Sequence, residues 1–424
     1  MIDYRPRIAD ALLRRKLEGK GAVLIEGPKW CGKTTTAEQI AASTLYMDEP
    51  QRRAENVMLS ELDPQRLLRG ETPRLIDEWQ LAPKLWDAVR FETDHRGSTG
   101  QFILTGSAVP PETDEITHSG AGRFSWLRMR TMSLYESGDS TGDVSLSELF
   151  SGPESIDGTG DADIERLAFL ICRGGWPQAV GMRPEIALDQ AFDYCEAIVR
   201  SDLSRADGVR KSPDRVRKLM RSYARVQGAQ VTNKAVGEDM GGNDGHPVSA
   251  ETAAMYIGAL KRIFVAEDMP AWNPNLRSKA AIRTSDTRYY SDPSIATAAL
   301  GLGPDDLLSD LKTLGLLFET LAVRDLRVYA DALNGEVCHY RDKDGLECDA
   351  VIRLRNGSYG LAEIKLGGDR LIGEAAKTLK ALACKIDTQS MKAPSFLMVL
   401  TGVGSRAYRT GDGIYVVPVT ALKD

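Results

Sequence analysis

The stretch Glu26–Thr36, EGPKWCGKTTT, follows the apolar run Ala22–Ile25 and carries Gly27, four residues, then Gly32, Lys33 and Thr34. That is the GxxxxGK[ST] spacing of a loop that holds phosphate. Glycines at the two ends let the backbone curl so that successive N–H groups point inward at an anion, and Lys33 adds a positive charge where β- and γ-phosphates would lie. Thr34 offers a hydroxyl to Mg²⁺, and the nucleotide-contacting set is Gly27, Pro28, Lys29, Trp30, Cys31, Gly32, Lys33, Thr34 and Thr35. The bland alternative is a glycine-containing strand-to-helix turn.

Such a loop needs a strand before it, a helix after it and an acid beside it. Ala22–Ile25 supplies the strand, and the breaker-poor run Thr34–Ser43 predicts a helix whose positive end faces the anion. In PRLIDEWQ, Leu75 and Ile76 read as a short buried strand, Asp77 as the acid of the Mg²⁺ shell and Glu78 as a general base for water. A third strand, Gln101–Pro110, carries Thr105, Gly106 and Ser107. In ATPases of the additional-strand type, which this layout resembles, a polar residue at the end of such a strand senses the γ-phosphate. Thr105 is the first candidate and Ser107 the second, against the alternative of a hydroxyl that caps a strand end.

Taken in order, EGPKWCGKTTT, LIDEWQ, FILTGSA and AGR (Ala121–Arg123), with the later GGWP (Gly174–Pro177), resemble the prokaryotic AAA-like ATPases that carry a C-terminal domain of unknown function. Trp79 stands where that family has an aliphatic residue, and HSGAGR replaces its SLAGR segment. The resemblance implies ATP as the nucleotide and places Arg123 near it as an arginine finger, with a structural salt bridge as the alternative. From the residues themselves the purine stays open: the nearest string to a guanine reader, Asn233–Val236 (NKAV), lacks the aspartate.

Composition bounds the rest. With 424 residues, 42% hydrophobic and 27% charged, the chain reads as a soluble globular protein of about three domains. A charged N-terminal stretch and the lack of any long apolar run predict no signal peptide and no membrane span. Scattered cysteines and histidines predict a cytoplasmic protein with free thiols and no zinc site. The net charge of −6 divides unevenly, since Arg200–Tyr290 has 16 basic and 10 acidic residues, hence +6, which leaves −12 for the remainder. In the basic middle, three helical patterns followed by two extended segments give a winged-helix order. Arg210, Lys211, Arg215, Arg217, Lys218, Arg221 and Arg225, with Arg277, Lys279, Arg283 and Arg288 on the wing, form a patch for nucleic acid or, in the plainer reading, a solvated helix face.

The last hundred residues hold a second constellation. Strand alternation puts Asp349 on one face of a strand and Glu363 with Lys365 on one face of the next, the D-x13-ExK spacing. Glu319 lies in an apolar helical stripe with Leu316, Val323 and Leu326, where a carboxylate is costly without a partner. The set resembles the PD-(D/E)xK nuclease core, which implies that Glu319, Asp349 and Glu363 bind Mg²⁺ while Lys365 positions the attacking water.

The expected architecture is α/β: a P-loop NTPase core (1–136), an acidic Gly/Ser-rich linker or loop (137–165), a helical lid (166–205), a winged-helix-like basic region (206–300) and a restriction-endonuclease-like α/β domain (301–424). The expected activity is ATP hydrolysis, acting on or near DNA. The alternative is a nucleotide-gated module that binds nucleic acid or protein through a silent nuclease-like domain. Expected partners are ATP with Mg²⁺ and nucleic acid, without a membrane; self-assembly is compatible with the reading, and the sequence does not set a subunit number.

Overall fold

A computed structural model describes residues 4–107, 120–205, 211–241, 247–274 and 285–424. The chain forms two compact units, one of Met1–Thr131 with Arg200–Lys211 and Gly258–Val265, the other of Met132–Val199, Ser212–Ile257 and Ala266–Asp424. No helix among the described residues is long and apolar enough to cross a membrane.

The first unit holds a parallel sheet of β1 (Ala22–Glu26), β2 (Ser43–Tyr46), β3 (Arg74–Asp77), β4 (Phe102–Gly106) and β5 (Phe124–Arg128), in the order β2-β3-β4-β1-β5. The short apolar runs of β1, β3 and β4 at its centre are buried on both faces, as parallel strands between helical layers require. Along β1 the faces alternate: Ala22 and Leu24 join Trp86, Leu104 and Phe124 in one core, while Val23 and Ile25 join Leu13, Leu17 and Leu127 in another. Helix α1 (Ile8–Gly19) covers the second face, and α2 (Lys33–Glu38) follows the loop after β1. The expected helix over Thr34–Ser43 therefore stops early. Ser43 pairs with Arg74 in the β2–β3 ladder, so tertiary pairing overrides a helix-compatible stretch.

The second unit contains a seven-stranded sheet. Its members are β7 (Gly158–Thr159), β8 (Gly335–Arg341), β9 (Glu347–Leu354), β10 (Tyr359–Lys365), β11 (Phe396–Thr401), β12 (Arg406–Arg409) and β13 (Tyr415–Pro418), ordered β7-β12-β13-β11-β10-β9-β8. β8, β9 and β10 form an antiparallel meander, and the helix Asp369–Lys385 makes the crossover to β11, which is parallel to β10. The helix Leu311–Ala332, capped by Asp310, precedes the meander.

The acidic stretch 137–165, expected as a linker or loop, is a loop-rich segment tied into this unit. Within it, β6 (Val144–Ser145) pairs with β14 (Leu422–Lys423), β7 pairs with β12, and Val144, Leu146 and Leu149 are buried. Asp139 lies 2.7 Å from the buried Arg173. Composition marked the stretch as polar, but its short strands find partners near the other end of the chain, Val144 against Leu422 and Gly158 against Ala407.

GGWP has a structural role in this unit. Gly174 has φ +69° and ψ −172°, a region open essentially to glycine. A Cβ there would meet Asp292 Oδ1 at 2.3 Å, and one on Gly175 would meet the Met132 carbonyl at 2.1 Å. The Trp176 indole donates to Ser294 Oγ (2.9 Å), and the Gly175 N–H donates to Asp292 Oδ2 (3.0 Å). Asp292 and Asp325 flank Arg324 at 3.1 and 2.7 Å, all three at 2% exposure or less. Arg324→Ala leaves two carboxylates buried without their cation, and its expected cost is about 3–5 kcal/mol. Denaturant unfolding followed by a probe in this unit measures it. A loss below about 1 kcal/mol would mean that the carboxylates shed their charge by another route.

Candidate functional site

The phosphate-loop residues lie between β1 and α2 as the spacing requires. Trp30 (φ 64°) and Gly32 (φ 99°) both take left-handed backbone, which turns the loop into a concave run of amides. Glycine does this freely, whereas Trp30, about half exposed, bears strain of order 1–2 kcal/mol. A Cβ on Gly27 would fall 2.1 Å from the Met129 carbonyl, so only glycine fits there. Cys31 is buried, its Sγ 3.8 Å from that same carbonyl. The Lys33 ammonium, on a side chain only 6% exposed, donates to the carbonyls of Gly27 (2.9 Å) and Pro28 (2.8 Å) across the mouth of the loop. Lys29 turns aside to Asp202 at 2.6 Å. Thr35 is exposed on the first turn of α2.

One residue the sequence pattern did not single out braces this loop. The buried Arg7 guanidinium donates to the carbonyls of Cys31 (2.8 Å) and Arg130 (2.9 Å), tying the start of the chain to the loop and to the residues after β5. No local signal announces it, because its partners are 24 and 123 positions away.

Asp77 ends β3, in register with Thr105 on β4. Its Oδ1 accepts from the hydroxyls of Thr34 (2.8 Å) and Thr105 (2.5 Å). Burial pushes its carboxyl up, while the two hydroxyls and Lys33 pull it down. Thr105, read as a phosphate sensor, thus holds the acid of its neighbouring strand. Glu78 follows with φ 53° and ψ 43°, outside the strand, a strained conformation of the kind that clusters at active sites. Its Oε2 accepts from the Gln80 amide and, more weakly, from Ser107 Oγ at 3.4 Å. Burial and then the Asp77 charge raise the Glu78 carboxyl above its ordinary value, and Lys33 opposes them. The exposed Asp48, just beyond β2, adds its negative field to both acids and was not anticipated.

These residues fit a magnesium nucleotide. The left-handed backbone at Trp30 and Gly32 curls the loop, the lysine sits in its mouth, and the hydroxyl and carboxylate of Thr34 and Asp77 are hard oxygen donors of the kind Mg²⁺ takes.

Arg123 does not belong to this group. Its carbonyl accepts from Ala22 N, at the start of β1, whereas the loop follows Glu26, the partner of Arg128. Five residues at about 3.3 Å each put it about 16 Å along the strand from the loop of its own chain, beyond an arginine's reach. Its guanidinium pairs with Asp94 at 2.7 Å, the salt-bridge alternative.

The C-terminal residues do converge. The β9–β10 register runs to Ala350 opposite Ala362, so Asp349 and Glu363 follow as the next opposed pair. The Lys365 ammonium lies 2.7 Å from each of their carboxylates, and Ile364 N donates to Asp349 Oδ2 (2.8 Å). Glu319, on the helix Leu311–Ala332, accepts from the buried Tyr289 hydroxyl. Burial, then the Asp349 charge, push both Glu319 and Glu363 well above the usual carboxylate range, and Lys365 is itself driven up by the two acids beside it. Yet among the described residues no group of three or more His, Cys, Asp or Glu side chains is arranged to hold a metal ion. Of the expected Mg²⁺ ligands, Asp349 and Glu363 are both ion-paired to the Lys365 ammonium, and Glu319 is engaged by Tyr289.

In the basic middle, helices Pro213–Arg225, Asn233–Gly241 and Ala250–Arg262 appear in the expected order. Among the described residues of the expected wing, isolated antiparallel bridges join Ala266 with Tyr290 and Met269 with Thr287. Arg210, Arg277, Lys279 and Arg283 lie outside the described residues. Of the others, Arg217 pairs with Glu196, Arg225 with Asp239 and Arg288 with Asp268, and Lys211 is buried. Arg215 and Arg221 are exposed.

Comparison with known proteins separates three regions. Residues 19–137 match the family model of an AAA domain, 164–306 a domain of unknown function (DUF8612) and 314–422 another (DUF4143). Two uncharacterised proteins, from Mycobacterium tuberculosis and Mycobacterium bovis, are each 25% identical over 363 residues, covering 85% of this chain and 73% of theirs. Among solved structures, a Walker-type ATPase of Pyrococcus abyssi aligns with a TM-score of 0.41 at 14% identity, over 70% of this chain and 99% of that one. The AAA match, with the parallel sheet, supports a P-loop NTPase core of the ATPase kind. The C-terminal match names no activity.

Proposed function

We propose that the chain binds ATP with Mg²⁺ between Gly27 and Thr35 and hydrolyses it, with Glu78 as the general base. The observation that carries this reading is the meeting of Lys33, Thr34, Asp77, Glu78 and Thr105 at the carboxyl ends of β1, β3 and β4, where ligands of open α/β sheets bind. Lys33 supplies fixed positive charge to the terminal phosphates. Thr34 and Asp77 would hold Mg²⁺, which when bound offsets charge on the β- and γ-oxygens. Thr105 keeps Asp77 in place. Glu78 takes a proton from the attacking water, whose oxygen bonds to the γ-phosphorus as the bond to the ADP oxygen breaks. Phosphate release from ATP by the purified chain tests the reading; no divalent-dependent release above background would defeat it.

For the second unit, which holds both the C-terminal domain and the helix Pro213–Arg225, we favour recognition of nucleic acid without cutting. The specific observation is Lys365 seated between Asp349 and Glu363, which leaves an ion-paired cluster instead of an open acidic one. Exposed Arg215 and Arg221 on the helix Pro213–Arg225 give the contact to phosphates. The expected result of incubation with plasmid DNA and Mn²⁺ is DNA retained but uncut. Cleavage that needs Mn²⁺ and disappears in Asp349→Ala would restore the nuclease reading.

A further inference from the structure

The proposed base is itself held. Gln80 lies in the turn Trp79–Leu81 that begins at Glu78, and its Nε2 donates to Glu78 Oε2. Ser107 Oγ, just past β4, reaches the same oxygen at 3.4 Å. No hydrogen bond from a described residue reaches Glu78 Oε1.

The rest of the amide shows how closely this contact is specified. Gln80 Oε1 is buried without a hydrogen-bond partner, an unfavourable state for a polar atom. Turning the amide over would relieve nothing, since it would set the amide oxygen against the carboxylate, acceptor to acceptor. Gly106 makes the room: a Cβ there would lie 2.7 Å from Gln80 Oε1 and 3.1 Å from the Trp79 indole nitrogen. The end of β4 thus serves both acids, with Thr105 on Asp77, Ser107 on Glu78, and a glycine between them that admits Gln80.

We propose that Gln80 is a positioning residue, which fixes the Glu78 carboxylate through Oε2 and leaves Oε1 free to take the proton of the attacking water. This rests on the reading of the site as an ATPase. A general base works only when its accepting lone pair points at the water, and a glutamate with free side-chain torsions points there part of the time. The left-handed backbone at Glu78 starts the side chain in an unusual direction, and the Gln80 amide fixes where it ends.

The test pairs kinetics with structure. In Gln80→Leu, which keeps the bulk and removes the donor, kcat is expected to fall about ten- to a hundredfold with KM and ATP affinity within about twofold of the parent. Gln80→Glu, which sets carboxylate against carboxylate, is expected to lose at least as much, and normal ATP affinity in either variant shows that the loop is folded. In a Glu78→Gln background Gln80→Leu is expected to cost nothing more, because the two act as one unit. Unchanged or raised kcat in Gln80→Leu, or an equal loss in the Glu78→Gln background, overturns the proposal. A crystal structure of nucleotide-free Gln80→Leu decides the same point without turnover. The Glu78 carboxylate is expected to leave its place, and finding it unmoved overturns the proposal whatever the rates. If the unaltered chain releases no phosphate from ATP, the ATPase reading falls, and the crystal structure still judges the clamp.

Discussion

Lys33→Ala is expected to abolish ATP binding. The ammonium is buried in the loop mouth and already makes two charge-assisted hydrogen bonds, to the carbonyls of Gly27 and Pro28. Bonds of that kind contribute about 1.5–3 kcal/mol each, so trading such a pair from carbonyls to phosphate oxygens and then losing it weakens binding by about 10²–10⁴-fold. Titration calorimetry with ATP and Mg²⁺ reads it directly. Lys29→Ala serves as the comparison, since that ammonium is engaged by Asp202 at 2.6 Å, and its removal is expected to matter far less. Equal affinity in Lys33→Ala and the parent would put the nucleotide elsewhere.

Glu78→Gln is expected to keep ATP affinity and to slow hydrolysis by about 10²–10⁴-fold, the usual worth of a general base. The change is nearly isosteric, and the new amide still has an oxygen that can accept from Gln80. Burial holds the Glu78 carboxyl above its ordinary value, and a base must be ionised to work. Turnover should therefore rise with pH through a midpoint above the ordinary glutamate range, and this limb should be missing from what remains in Glu78→Gln. Phosphate release across pH, with binding measured alongside, checks both points. Full turnover in the glutamine variant would assign the base to another residue.

The nucleotide loop was legible because its chemistry is local. Gly27, Gly32, Lys33 and Thr34 act through spacing along eight consecutive residues, and glycine at 32 answers to the left-handed backbone that such a loop makes. Asp77 and Glu78 were legible for a related reason: a buried parallel strand is a short apolar run, and its polar carboxyl end lies at the sheet edge where ligands bind. Period-2 alternation likewise brought Asp349, Glu363 and Lys365 to one face, as the sheet shows. What each group does once there depended on its neighbours. Alternation brings a lysine near two carboxylates but does not say whether its ammonium will lie between them, as it does here.

The sequence by itself therefore determined the types of element, the loop that turns toward phosphate and the acids at its side, all set by residues within a few positions of one another. Tertiary structure alone decided that Arg7 braces the Cys31 carbonyl, that Arg123 lies at the far end of β5, that an acidic stretch is knitted to the last strands, and that Arg217, Arg225 and Arg288 of the middle region are ion-paired. Each of these turns on which distant segment meets which. Residue periodicity specifies the face that a side chain takes but not the partner it finds, because that partner is selected by the burial and hydrogen bonding of the whole fold.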